Sequence, residues 1–286
     1  VLQTAVAQYM PDCDRRIHVL AYVRPHASRL LSTYAQRVKT RGLQDSFEDF
    51  VQNSIRRGDF LYTPRFEKWR QVFGAAFTLR PFVREQLHQG DVVADFLHTA
   101  LGGGEIRLTG AAAQNESPTL AHLACLQLVQ QVLRRAGMAQ PLRHALCSSL
   151  AKKLACGPSA AGPRLKMPAS LLSQLVEAYR EDAAAMDAAF FEGTPMSDAL
   201  AATERSASSQ PQSVAARDHL SVRQRKGLRA IALALSNIPD AASSGWLRRH
   251  RKQRRTKDGT QMPPSATDAQ ITALLDEACQ IFEASA

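Results

Sequence analysis

The sequence predicts a helix-rich α/β fold, and three observations carry that expectation. Alanine is abundant, 45 of 286 residues, while aromatic residues make up only 6%, a composition that favours helix. Two short apolar runs, at 17–23 and 76–82, read as strands, and each leads into residues at helical spacing. Strands that alternate with helices are the signature of a parallel sheet. From residue 105 onward strands largely give way to apolar residues at helical spacing, separated by Gly- and Pro-containing breaks.

Each element has a local reason. Residues 2–10 read as a helix end, followed by a polar break at Pro11, Asp12 and Asp14. The run at 17–23, apolar and bounded by charge, fits a strand buried on both faces. Residues 27–41 place Leu30, Leu31, Tyr34 and Val38 at helical spacing and stop at Gly42. Ser46, with Asp49 three residues on, opens a second helix carrying Phe47, Phe50, Val51 and Ile55. A third helix spans 64–73 and ends at Gly74. Beyond the second strand, 91–101 reads as a helix stopped by Gly102, Gly103 and Gly104, and further helices are expected over 119–136, 141–154, 170–191 and 222–236. The Ser/Gln-rich stretch at 204–216 reads as a linker, and a last amphipathic helix carries Ile271, Leu274, Leu275, Ile281 and Phe282. The expected organisation is an α/β core at 1–104, a helical extension packed on it at 105–203, and a linker, basic run and C-terminal helix at 204–286.

Charge and cysteine usage narrow the function classes. The 36 basic and 26 acidic residues leave +10, but Arg248, Arg249, Arg251, Lys252, Arg254, Arg255 and Lys257 supply seven of the cations, and without them the balance is only +3. The basic character is therefore local. Such a run suits an acidic surface, lipid headgroups or polysaccharide. With Trp246 the only aromatic beside it, no sequence-specific nucleic-acid partner is expected. Five cysteines without a CxxC pair argue against a disulfide framework, and the eight histidines form no HxxxH or HExxH pair, so no metal is expected. No apolar stretch is long enough to span a membrane. The expected setting is cytoplasmic, peripheral to a membrane where the basic run makes contact.

The most informative stretch is AYVRPHASRLLSTYAQR, residues 21–37. A strand's carboxyl end followed by a helix start is where open α/β sheets bind anions. Arg24 sits at that junction and Ser32 lies eight residues on, about 12 Å of axial rise if both were helical. Because Arg24 precedes the helix and is long, it can lean back so that the two grip one phosphate. Ser28, in the first turn, is the competing hydroxyl, and His26 stands beside the same junction.

An Arg, seven intervening residues and a Ser followed closely by Tyr resembles the 3′-phosphate-binding element of sulfotransferases that use 3′-phosphoadenylyl sulfate; the matching residues are Arg24, Ser32 and Tyr34. More specifically, YVRPHASRLLSTYAQRVK, SFEDFV, WRQVFG and FTLRPFVREQLHQGDVVADFL resemble bacterial sulfotransferase-like proteins associated with surface polysaccharide, over about residues 15–137 and ending in NESPTLAHLACLQLVQQV. The resemblance implies the C-terminal part of a P-loop-like parallel sheet followed by a mainly helical extension. It implies a nucleotide sulfate donor, 3′-phosphoadenylyl sulfate, and a carbohydrate hydroxyl or amine acceptor. Arg24 and Ser32 would hold the donor's 3′-phosphate, and Arg80 would serve in structural pairing. The family's Lys/Arg-x-Gly-Thr loop, which cradles the 5′-phosphosulfate, has no counterpart here, and by resemblance it belongs upstream of Val1. The chain is then either partial, and inactive as such, or a degenerate relative. Arg225, Lys226 and Gly227 match an Arg-Lys-Gly of the cytosolic sulfotransferases, but Leu228, Ile231, Leu233 and Leu235 continue a helix there, so the cations read as a solvated face. Glu181, Asp182 and Asp187 read as a solvated helix face too. The alternative function is a non-enzymatic helical scaffold that binds polyanions or a membrane surface through 248–257.

Overall fold

A computed structural model describes residues 18–103, 117–253 and 265–284. The expectations for 1–17, for 104–106 and for the end of the basic run at 254–257 lie outside those residues. In chain order the elements are β1 (Val19–Val23), α1 (His26–Arg41), α2 (Phe47–Arg56), α3 (Thr63–Phe73), β2 (Phe77–Pro81), α4 (Val92–Ala100), α5 (Leu120–Arg135), α6 (Gln140–Leu154), α7 (Leu172–Phe190), α8 (Pro195–Ser206), α9 (Ala216–His219), α10 (Val222–Ser236), α11 (Asp240–Gln253) and α12 (Ala266–Glu283). The fold is helix-rich α/β with a parallel strand pair. Among the described residues no helix is long and apolar enough to cross a membrane.

The chain forms two compact units, each assembled from non-consecutive stretches: Val1–His26, Phe60–Gly110 and Val176–Ala202 make the first, and Ala27–Asp59, Ala111–Leu175 and Thr203–Ala286 the second. In the first unit β1 runs parallel to β2 with Val19 opposite Phe77 and Val23 opposite Pro81. The Phe82 N–H extends the ladder to the Val23 carbonyl at 2.7 Å. Burial of β1 on both faces does not hold: Val23 is buried, while Val19 to Tyr22 are half-buried. The reason is width, since the sheet has two strands among the described residues and a pair offers helices little face to cover.

Two carboxylates of α7 correct the reading of a solvated face. Asp182 is 9% and Asp187 3% exposed, whereas Glu181 is exposed. Tyr62, at the start of α3, makes no side-chain cap bond; instead the Asp182 carboxylate accepts the N–H groups of Tyr62 and Thr63 at 2.8 and 3.0 Å. Asp187 does the same for α8, accepting from the Met196 and Ser197 N–H groups at 2.8 and 2.9 Å. Helix N-termini leave N–H groups unsatisfied, and a buried carboxylate there meets both their hydrogen-bonding need and the positive end of the dipole. Helix α8 itself has no counterpart in the sequence expectations.

In the second unit, Leu30, Tyr34 and Val38 of α1 are 0% exposed. The Tyr34 ring meets Phe47 and Phe50 of α2 at 5.2 and 5.5 Å, and its hydroxyl donates to the Asp45 carbonyl at 2.9 Å. Ser46 caps α2 by accepting the Asp49 N–H at 3.0 Å, as the sequence predicts. The main core gathers leucines such as Leu126, Leu133, Leu146, Leu150 and Leu228 with Leu275 and Phe282 of α12. A reciprocal capping box of Ser221 and Gln224 opens α10, and one of Ser265 and Asp268 opens α12. The stretch at 204–216 reads as a linker by composition but is fastened: Ser208 donates its N–H to the Met167 carbonyl and accepts from the Ala169 N–H, both at 2.8 Å. The Gln212 side chain also accepts the Lys166 N–H at 2.7 Å.

Candidate functional site

The carboxyl end of β1 is built entirely within the first unit. Parallel pairing delivers Arg24 beside Phe82, where its guanidinium carbon lies 4.8 Å from the ring centroid, a cation–π contact. The Arg24 carbonyl accepts the Tyr62 hydroxyl at 3.0 Å. Two residues on, His26 is 1% exposed and lies between the rings of Tyr62 and Tyr179, each 4.8 Å away. Its Nε2 lies 2.9 Å from Asp182 Oδ2, so Nε2 carries the proton, while Nδ1 is buried without a hydrogen-bond partner. Burial alone raises the Asp182 pKa, but hydrogen bonds from His26 and from the backbone of Tyr62 and Thr63 outweigh it and leave the group below the ordinary carboxylate value. Asp182 therefore stays ionised and fixes both His26 and the start of α3.

Beside this cluster Arg80 of β2 is committed to Asp95, which is 0% exposed. Arg80 donates to the carboxylate through Nε at 3.0 Å and Nη2 at 2.5 Å. The Tyr22 hydroxyl adds a bond at 2.6 Å and the His88 N–H one at 2.8 Å. Burial again works to raise the Asp95 pKa, and these donors hold it at about 2. Arg80 is thus paired structurally, tying β2 and β1 to α4.

The other residues of the expected element lie in the second unit. Ser32 is half-buried on α1 and Ser28 is exposed in its first turn; Tyr34, with its hydroxyl bonded to Asp45, is a core residue. In the basic run, Arg248 is exposed, whereas Arg249 is taken up by α12, donating to Asp268 at 2.7 and 2.9 Å and to Ser265 at 2.8 Å. Trp246 is buried and stacks on His250 at 4.9 Å. Gly227 packs against Ile281, whose methyls would lie 3.0 Å from an added Cβ, so the glycine of the Arg-Lys-Gly triplet serves the close approach of α10 to α12.

A further constellation, not anticipated from sequence, joins His122, Ser159 and Glu283. His122 Nε2 is 2.7 Å from Ser159 Oγ, and Ser159 Oγ donates to Glu283 Oε1 at 2.5 Å. Burial lowers the His122 pKa, with Glu283 opposing in part. The order is wrong for nucleophilic catalysis: the hydroxyl gives its proton to the carboxylate and accepts from the imidazole, whereas a catalytic triad places the imidazole between the two. The group fastens α5 and α12 to the turn at 158–161, and no sequence spacing announces it. Comparison with protein-family models, with curated proteins and with solved structures finds no match for this chain.

Proposed function

We propose that the carboxyl end of β1 binds the 3′-phosphate of a nucleotide sulfate donor, with Arg24 as its cation, in a P-loop-like sulfuryl-transfer protein of cytoplasmic setting. The observation that carries this reading is the parallel register of β1 and β2, which puts Arg24 at the strand's carboxyl edge immediately before α1, the position where open parallel sheets take anions. The resemblance over residues 15–137 supports it with the same arginine. The substrate would be 3′-phosphoadenylyl sulfate and the acceptor a carbohydrate hydroxyl or amine. An acceptor lone pair forms the new bond to sulfur, the bond from sulfur to the 5′-phosphate oxygen breaks, the acceptor's proton passes to solvent, and adenosine 3′,5′-bisphosphate leaves. The chain's own share is to hold the donor's far phosphate, with the buried Asp182 and His26 fixing the backbone that carries Arg24. The reading rests on Arg24 rather than on Ser32.

Isothermal titration with adenosine 3′,5′-bisphosphate, beside 5′-AMP, tests it. The expected result is binding that needs the 3′-phosphate and falls at least about tenfold in Arg24→Ala, the loss of one charge-assisted contact. Equal binding of the two nucleotides, no binding of either, or an unaffected Arg24→Ala protein overturns the reading.

A further inference from the structure

Helices α10 and α12 leave between them an open groove of about 1010 Å³ in the second unit, the size of a small-molecule site. Its floor is apolar, formed by Val222, Gly227, Ile281 and Ala284. Val222, the first residue of α10, is 58% exposed. Arg223 and Lys226 line the same groove and are exposed. Among the described residues no carboxylate forms an ion pair with either. Two other cations of the second unit, Lys153 and Arg249, do pair, with Asp276 and Asp268.

We propose that this groove binds a single-chain amphiphile with a phosphomonoester head, the chain on Val222 and Ile281 and the phosphate between Arg223 and Lys226. Charge complementarity selects an anion, and the spacing selects a compact one. Residues three apart on a helix stand about 5–6 Å from each other at Cβ, so one phosphate dianion meets both cations, whereas the carboxylates of an acidic peptide are spread along its length. The apolar floor contributes through burial of a hydrocarbon chain, at about 0.8 kcal/mol per buried methylene. Gly227 holds the floor low by letting Ile281 approach α10. The inference does not depend on nucleotide binding at Arg24, which lies in the other unit.

Dodecyl phosphate, dodecyl maltoside, inorganic phosphate and a Glu-rich amphipathic peptide, each titrated against the full chain, separate the contributions. Dodecyl phosphate is expected to bind at least about tenfold more tightly than any of the other three. The Arg223→Gln/Lys226→Gln double variant and Val222→Glu are each expected to weaken it at least about tenfold. All three positions are exposed, and a carboxylate in the first turn of a helix is favourable, so both variants keep the wild-type unfolding midpoint. Equal affinity for dodecyl maltoside, tighter binding of the peptide, or variants that bind as the wild type does overturn the proposal.

Discussion

Asp95 shows how a buried charge is made tolerable at the level of a single residue. It accepts bonds from Arg80, the Tyr22 hydroxyl and the His88 N–H, so both oxygens are satisfied, and the pKa near 2 is the electrostatic record of that satisfaction. Removing the carboxylate takes an acceptor from all three donors at once, although Arg80 keeps its bond to the Gln86 carbonyl. Asp95→Ala is expected to cost about 3 kcal/mol, the low end for breaking a buried pair because Arg80 keeps some contact with water. Asp95→Asn, which keeps one acceptor oxygen, should cost about half as much. Urea unfolding of the two variants checks this, and equal losses would mean that packing rather than hydrogen bonding sets the effect.

At the level of elements, the ends of helices decide what could be read in advance. Gly42 ends α1 with φ of 64°, and a Cβ there would lie 2.8 Å from Gln130 Cβ. Gln127 and Gln130 approach closely because they cap the end of α1, donating to the Leu43 and Lys39 carbonyls at 2.8 and 2.9 Å. Gly42→Ala is therefore expected to cost about 2 kcal/mol, combining left-handed backbone strain with displacement of Gln130, and to lower the unfolding midpoint by roughly 4–8 °C. Gly137→Ala is the control: φ is 80° but nothing lies within 4 Å of its Cβ, so strain acts alone and the loss should be smaller. Equal losses would remove Gln130 from the account. The stop at Gly42 and the cap at Ser46 were legible because donor and acceptor lie within a few residues of each other. The caps supplied by Asp182 and Gln127 were not, since α3 is closed from a carboxylate 120 residues away. The candidate site divides the same way. The strand-to-helix junction that carries Arg24 follows from local pattern, while the burial of His26 between Tyr62 and Tyr179 depends on a helix far along the chain.

Across the whole molecule, the buried ionisable groups set a pH window for stability, with different chemistry at each edge. On the acid side, burial lowers the His122 pKa below its ordinary 6.5. A histidine of this kind contributes fully above its unfolded value, and the contribution is lost as pH falls towards the folded one. Carboxylates extend the loss further down. Asp95 goes from 3.8 to about 2, Arg249 lowers Asp268, and Asp182 is lowered as well; each holds its contribution above about pH 4 and gives it up below. The alkaline edge begins with thiols, because the Tyr22 and Tyr34 hydroxyls, also raised by burial, start to titrate only from their ordinary 10.0. Burial raises Cys147 from 9.0 to about 12 and Cys279 to about 11. Folding keeps their protons on, so their contribution is complete below the unfolded value and is lost as pH rises from there to the folded one. Thermal unfolding should therefore show a plateau between about pH 6.5 and 9, a shallow fall below it, a steeper one under pH 4, and a decline above pH 9. Cys147→Ala removes one titrating thiol at the cost of a small cavity, so its midpoint should start lower yet decline less between pH 9 and 11. A parallel decline in wild type and variant would assign the alkaline edge to other groups, whereas convergence of the two curves with rising pH identifies the buried thiol as a group that the folded chain keeps protonated.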